Sequence, residues 1–415
     1  MNNFTRITLG DYIETLTDYH ANGSYKVLKE NVELKDNPDY AIMIRTLNFE
    51  RPDFKDDLIY LNEKEYNYLR KTKVYPNDIL MNKIANPGSV YLMPDLKTPV
   101  SLAMNLFLIR FNSELNQQYM YYLMKSNEKY IKQFANGTTT LTITKDAVRG
   151  LEFNVPPKEE QDNIAAVLST IEAKIEKNDK INSDLEKMAE LIYKYWFVQF
   201  DFPDINGKPY KSSGGKMIYN EKLKREIPVF WEVKELETIA TCIMGQSPKG
   251  DTYNTERVGT PLINGPADYK NGALFGRTYT TAPTRLCEKD DMVLCIRATI
   301  GNLVYSEESF CLGRGVAAVR PNNEIKSELI YFQILQEIER FKMQATGSII
   351  KGITKDDLTK SKCLIPNEKL ILQFHKLVKP MFDKQRKNRE ETLKLIELRD
   401  WLLPMLMNGQ VSVKY

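Results

Sequence analysis

The sequence predicts an α+β fold: two strand-rich domains separated by two long helices that form an antiparallel coiled coil, with a pseudo-two-fold from an internal repeat. Three observations predict it. A segment near residue 140 recurs at an offset of 210 residues. Each copy is followed by a proline-led run of apolar residues at heptad spacing. Each copy is preceded by short alternating runs broken by Gly, Pro and Asn, the pattern of strands and turns.

The repeat comes first because everything else follows from it. GTTTLTITKDAV, starting at Gly137, aligns without a gap on GSIIKGITKDDL, starting at Gly347. Ile143, Thr144, Lys145 and Asp146 fall on Ile353, Thr354, Lys355 and Asp356. Farther on, Pro156 falls on Pro366, Asn178 on Asn388 and Leu185 on Leu395. Upstream the match is fainter: Asn-Asp-Ile-Leu at 77–80 resembles Asp-Asp-Met-Val at 290–293, and Gly88 resembles Gly301, now at an offset of 213. An ordered series of this kind reads as a duplication. It divides the chain into a strand-rich domain at 1–155, a helical spacer at 156–200, a linker with a second strand-rich domain at 201–365, and a helical spacer at 366–415. Each strand-rich domain should close with a helix, at about 116–134 and 327–344. The stretch 200–227 reads as the linker, with Pro203, Gly207, Pro209 and a Ser-Ser-Gly-Gly run and little to form a core.

Proline suits a helix entry and resists a helix interior, so the first long helix starts after Pro156 and Pro157. Its apolar seam runs Ile164, Leu168, Ile171, Ile175, then Leu185, Ala189, Ile192 and Trp196. Asn178 and Asn182 interrupt it. The second helix repeats the phase with Phe374, Val378, Met381, then Leu395, Leu402 and Leu406, interrupted by Gln385, Asn388 and Thr392. A polar residue in an apolar seam lowers stability and fixes register. Asn178 and Asn388, equivalent by the repeat, are therefore expected near each other at the centre of an antiparallel pair. The first spacer carries 6 basic and 9 acidic residues and the second 10 and 6, a complementarity that favours this pairing.

The 415 residues are 42% hydrophobic and 27% charged with a net charge of +3, ordinary for a globular protein. No stretch approaches the roughly 20 apolar residues of a membrane span, and the first residues lack the apolar run of a signal peptide, so a cytoplasmic location is expected. Five cysteines, none spaced CxxC, and only His20 and His375 give neither a disulfide framework nor a zinc site. The nearest match to a phosphate-binding loop, Gly245 to Asp251, has Asp where the Lys must reach the phosphates. The Asn-Val-Pro-Pro-Lys run at 154–158 lacks the spacing and aromatic of a base-holding methyltransferase loop. The expectation is no catalytic residue, no metal and no cofactor.

The order of domain, proline-led helix, domain, proline-led helix carries a signature at 137–161: Gly-Thr, Ile-Thr-Lys-Asp, then Pro and Glu-x-Gln. It recurs less completely at 347–371, where Asn367-Glu368-Lys369 and Ile371 depart from it. This resembles the specificity subunits of type I restriction-modification enzymes, over essentially the whole chain. The resemblance implies a non-catalytic DNA-binding subunit whose two target-recognition domains each read a short half-site in double-stranded DNA. The helices would set a fixed gap and dock two methyltransferase subunits, with motor-nuclease subunits joining through them. S-adenosylmethionine and ATP would then belong to those partners. A different reading of the same plan is a coiled-coil scaffold with two protein-binding domains and no DNA role.

Bases are read by Arg or Lys on guanine and Asn or Gln on adenine, and phosphates are held by Lys, Arg, Ser and Thr. Such residues at strand ends are the candidate contacts: Arg45, Asn48, Lys83, Asn86, Thr138, Thr139 and Lys145 in the first domain. Their second-domain counterparts are Asn264, Arg297, Thr299, Arg314, Ser348, Lys351 and Lys355. Thr144 and Thr354 are expected to cap short helices, the latter with Asp357 in a capping box, which sets Lys145 and Lys355 in a helix first turn.

Overall fold

The computed structural model describes residues 4–51, 54–297, 299–345 and 352–413. Contacts divide the chain into two compact units, 1–177 with 392–415, and 178–391. Both unit boundaries fall inside long helices, not between domain and spacer.

In the first unit, alternation of apolar residues builds a sheet buried on both faces. Its strands run in the order Ile13–Asp18, Leu106–Phe111, Ile79–Asn82, Val90–Leu92, all antiparallel. Ile79, Met81, Phe107 and Ile109 point to one core, and Leu80 and Leu108 to another, as a period of two requires. The first core is closed by helices Gln117–Ser126 and Glu128–Lys132, broken at Asn127, and by the start of the first long helix. The second core is shared with a mixed sheet, Ile59–Leu61, Ala41–Ile44, Val100–Leu102, Lys73–Val74, in which the middle pair is parallel. Thr5–Thr8 pairs with Glu152–Val155 beside them.

The second unit repeats this plan. Ala240–Met244, Val316–Pro321, Met292–Cys295 and Gly301–Tyr305 form the antiparallel sheet. Met292, Leu294, Ala317 and Val319 face one core, and Val293, Cys295, Val316 and Ala318 the other. In the companion five-stranded sheet, Thr260–Ile263 lies parallel to Phe310–Leu312. Glu232–Glu235 and Lys362–Ile365 form a separate two-stranded antiparallel sheet.

The faint upstream match has a structural reason. Asp78 receives both Nε and Nη2 of Arg110, each at 2.6 Å, and the Tyr75 N–H at 2.6 Å. Asp291 receives Nε and Nη2 of Arg320 at 2.8 and 2.7 Å, and the Glu288 N–H at 2.7 Å. Each clamp ties the start of one central strand to its neighbour through a bidentate pair on a buried carboxylate.

The long helices are Lys158–Tyr193, followed by a π-helical turn at Lys194–Val198, and Glu368–Met407. The signature Gln161 is buried; its amide donates to the Pro156 carbonyl at 2.9 Å and accepts the Asn116 N–H at 3.0 Å. Ile371, its counterpart, is fully buried in apolar company. Within the second unit the helices pair antiparallel. Asn178 Nδ2 donates to Glu391 at 2.8 Å, Asn388 Nδ2 to Asn182 Oδ1 at 2.9 Å, and Gln385 Nε2 to the Asn182 carbonyl at 2.8 Å. Asn178 and Asn388 are each 1% exposed, so the polar interruption of the seam is a buried amide network. Within the first unit Glu172 sits opposite Arg399, at 4.0 Å, and accepts the Tyr122 hydroxyl at 2.6 Å. The helices also enter the domain cores: Ile164, Leu168 and Leu406 in the first unit, Tyr193, Phe197 and Phe374 in the second.

The expected linker is a correction. Residues 200–227 are folded, with a hairpin starting at Met217–Asn220 and returning through Arg225–Pro228. Phe202 stacks on Tyr210 (4.7 Å between centroids) and on Trp231 (5.1 Å), while Phe200 meets Trp231 edge-on at 5.4 Å. Composition misled because three aromatic anchors suffice where the rest of the stretch is turns.

Candidate nucleic-acid interface

In each unit the loops at one end of the central sheet meet in a junction of the same design. In the first unit the Ala103 N–H donates to the Ile44 carbonyl (3.0 Å), the Lys83 N–H to Asn105 (2.9 Å), and the Ile143 N–H to Lys83 (3.0 Å). In the second, Gly313 donates to Ile263 (2.8 Å), Ile296 to Gly315 (2.9 Å), and Ile353 to Ile296 (2.8 Å). These are the same three bonds at equivalent places. They gather four segments that are distant in the chain, and the sequence candidates lie on them.

The first junction brings Lys83, Asn86, Thr138, Thr139 and Lys145 together. Ala85 N–H donates to Leu141 at 3.1 Å, and Asn136 and Thr142 exchange a pair of 2.8 Å bonds, so residues 137–141 form a closed exposed loop beside 84–86. Asn86, Thr138 and Thr139 are exposed. Lys83 and Lys145 are not free to roam. Their ammonium groups lie 2.7 and 3.0 Å from the two carboxylate oxygens of Asp18, with Lys83 only 12% and Asp18 13% exposed. Burial raises the Asp18 carboxyl pKa, but hydrogen bonds and charge from both lysines outweigh it and hold the group below its usual range. Arg45 and Asn48 sit on the neighbouring loop. Asn48 is buried, its side-chain oxygen accepting the Arg45 N–H at 2.9 Å, and the Arg45 guanidinium donates to the Asp57 carbonyl. A mostly apolar cleft of about 590 Å³ opens beside Arg45, lined by Tyr25, Leu28, Met43 and Met104 among others.

The second junction is tighter in backbone and freer in charge. A Cβ on Gly313 would lie 2.0 Å from Asn264 Oδ1, and one on Gly315 2.0 Å from the Asn264 carbonyl, so only glycine permits these loops to touch. Asn264, Arg297, Thr299, Arg314 and Lys355 are all exposed. Arg314 donates through Nε to Ser247 at 3.2 Å. Arg297 and Lys355 make no ion pair among the described residues. Ser348 and Lys351 lie outside the described residues. Thr144 and Thr354 cap as expected, accepting the N–H groups of Ala147 (3.1 Å) and Asp357 (3.2 Å), the latter in a capping box.

Asp18 and Ser247 escaped sequence reasoning. A carboxylate is a rare base reader, and its link to lysines 65 and 127 residues away has no local signal. Among the described residues no cluster of three or more His, Cys, Asp or Glu is placed to hold a metal ion. No described helix is long and apolar enough to cross a membrane.

The duplicated junction has a family. A sequence model described as the type I restriction modification DNA specificity domain matches residues 3–187 and again 228–379, one match on each copy. The chain belongs to the type I DNA specificity family. Among specificity subunits similar to it, a putative type I restriction enzyme MjaX specificity subunit from Methanocaldococcus jannaschii is 27% identical, over 99% of this chain and 97% of that one. The HindI specificity subunit of Haemophilus influenzae is 24% identical, over 84% and 90%. The fold is that of the crystallised type I system S subunit from M. genitalium, with a TM-score of 0.66 and 19% identity over 98% of this chain and 96% of that one. Membership in the specificity family makes DNA sequence recognition the role of this chain and disfavours a scaffold without a DNA role. The family is one of recognition subunits, not of catalytic ones.

Proposed function

We propose that each loop junction lies against double-stranded DNA and reads one block of a bipartite target with a fixed gap. The observation that carries this is the repetition of the same four-segment junction in both units, with candidate base- and phosphate-binding side chains displayed on each. Asn86, Thr138, Thr139, Asn264, Arg297, Thr299 and Arg314 are the proposed contacts, since their types match base edges and phosphates. Lys355, in the first turn of a capped helix, suits a phosphate. Ser348 and Lys351 keep the same proposed role by sequence.

The long helices are the proposed dock for two methyltransferase subunits, through which motor-nuclease subunits join. Exposed apolar residues support this: Leu393, Leu398 and Trp401 in the first unit, Met188, Leu191 and Tyr195 in the second. S-adenosylmethionine and ATP bind those partners, and the complex works in the cytoplasm. The test is co-expression with the methyltransferase encoded beside this chain, followed by mapping of modified bases across the host genome. The expected result is a new motif of two short specific blocks around an unspecified gap. A stable, active complex that yields no such motif overturns the reading.

A further inference from the structure

We propose that Asp18 is a positioning residue of the first junction: it holds Lys83 and Lys145 on its two carboxylate oxygens, so that this end reads its block through neutral groups on a fixed loop. This rests on the DNA-reading role of the junctions. The ion pairs join three segments, the end of strand Ile13–Asp18, the loop after Ile79–Asn82 and the first residue of helix Lys145–Arg149. The exposed loop with Thr138 and Thr139 is tethered between the last two of these. Fixing Lys83 and Lys145 therefore fixes where those hydroxyls stand. It also withdraws charge: one carboxylate against two ammonium groups leaves a single net positive charge, and Lys83 is turned inward over the Phe107 ring at 5.6 Å.

The second unit shows what the junction is like without this device. Asp18 pairs with Phe107 across the sheet, and Met244 pairs with the equivalent Ala317. Lys83 corresponds to Ile296, which makes the same two backbone bonds. Lys355 corresponds to Lys145 and is exposed, without an ion pair among the described residues. The second end therefore presents Arg297 and Lys355 exposed and without an ion pair among the described residues, whereas the first end holds its two lysines on a carboxylate.

The experiment uses the complete complex with its methyltransferase and reads two quantities, the methylated motif and the salt dependence of DNA binding. Asp18→Asn removes the carboxylate charge that holds both lysines. The expected result is that one block of the motif becomes degenerate while the other stays intact. The slope of log affinity against log salt steepens by up to about 1.8, since each added phosphate contact contributes about 0.9. Because this variant strands a buried ammonium group, a second variant, Asp18→Met with Lys83→Ile, installs the apolar pair of the second unit. It frees Lys145 alone; the same block should loosen, with a slope steeper by about 0.9. A structural role without positioning would lower complex yield and leave both blocks as they were. Folded complexes of the double variant with both blocks sharp and an unchanged slope overturn the proposal. Failure of the underlying DNA reading is distinct, because the unmodified complex would then show no two-block motif at all.

Discussion

At the first junction Lys83 and Lys145 converge on Asp18; at the second, the same three places hold Ile296, Lys355 and Met244. Around these differences the two junctions share three equivalent hydrogen bonds and an equivalent Asp-Arg clamp behind them. The comparison teaches that the frame and the proposed reading surface are specified largely by separate residues. The frame rests on main-chain bonds, which at Gly313 and Gly315 of the second unit require the absence of a side chain, and on bidentate pairs to buried carboxylates. The surface rests on side chains that can change sign or vanish without disturbing the crossing of the loops.

The largest effect expected from this comparison concerns the frame. Arg110→Met leaves the buried Asp78 carboxylate without its counter-ion, and Arg320→Met does the same to Asp291. Removing one partner of a buried pair costs about 3 kcal/mol. Amide hydrogen exchange should show that loss in strands Ile79–Asn82 and Leu106–Phe111 for the first variant, with Met292–Cys295 protected as before. Equal loss in both units would mean that they open as one, and the unit-by-unit comparison would fail. The next effect concerns the surface. Arg297→Ala removes a free cation and should flatten the salt slope of DNA binding by about 0.9, whereas Lys83→Met should leave it nearly unchanged. Binding titrations across a salt series separate the two; a matching drop for both would show that Asp18 does not hold Lys83 away from phosphate.

The smallest expected effect is on acid stability. The folded Asp18 carboxyl titrates below its usual range, so in the unfolded chain it binds a proton more readily. Its contribution is therefore present above the unfolded pKa and is lost as pH falls through the depressed folded value. Acid unfolding of the first unit should be less steep in Asp18→Asn with Lys83→Met than in the parent chain. Unit 2, with Met244 in that place, should be indifferent. Hydrogen exchange at stepped pH reads both, and an unchanged acid profile in the first unit would remove Asp18 from the account.

Much of this was legible in the sequence. Offsets of 210 and 213 announced the duplication, and both Thr caps could be placed from local spacing alone. Heptad steps and Pro156-Pro157 located the first long helix, and the buried amides of its seam were visible as interruptions. What stayed hidden was non-local. Nothing near Lys83 in sequence says that it is buried against Asp18. Phe200, Phe202 and Ile227 are too sparse to signal a core until Trp231 is folded against them. The junction loops drew attention by residue type, but their convergence depends on strand order, which periodicity does not reveal. Asn48 illustrates the cost of reading by type: an amide suited to adenine is buried and accepts the Arg45 backbone N–H.

The division of the chain also has a consequence in time. The first unit is closed by Leu406 and Met407, which lie in its core beside Ile164 and Leu168. A ribosome finishes residue 177 and must then make all of 178–391 before those side chains exist. At about 5–20 residues per second, the apolar face left open by their absence waits roughly 10–40 s. A nascent chain therefore passes through an interval in which Ile164 and Leu168 have no Leu406 or Met407 to pack against.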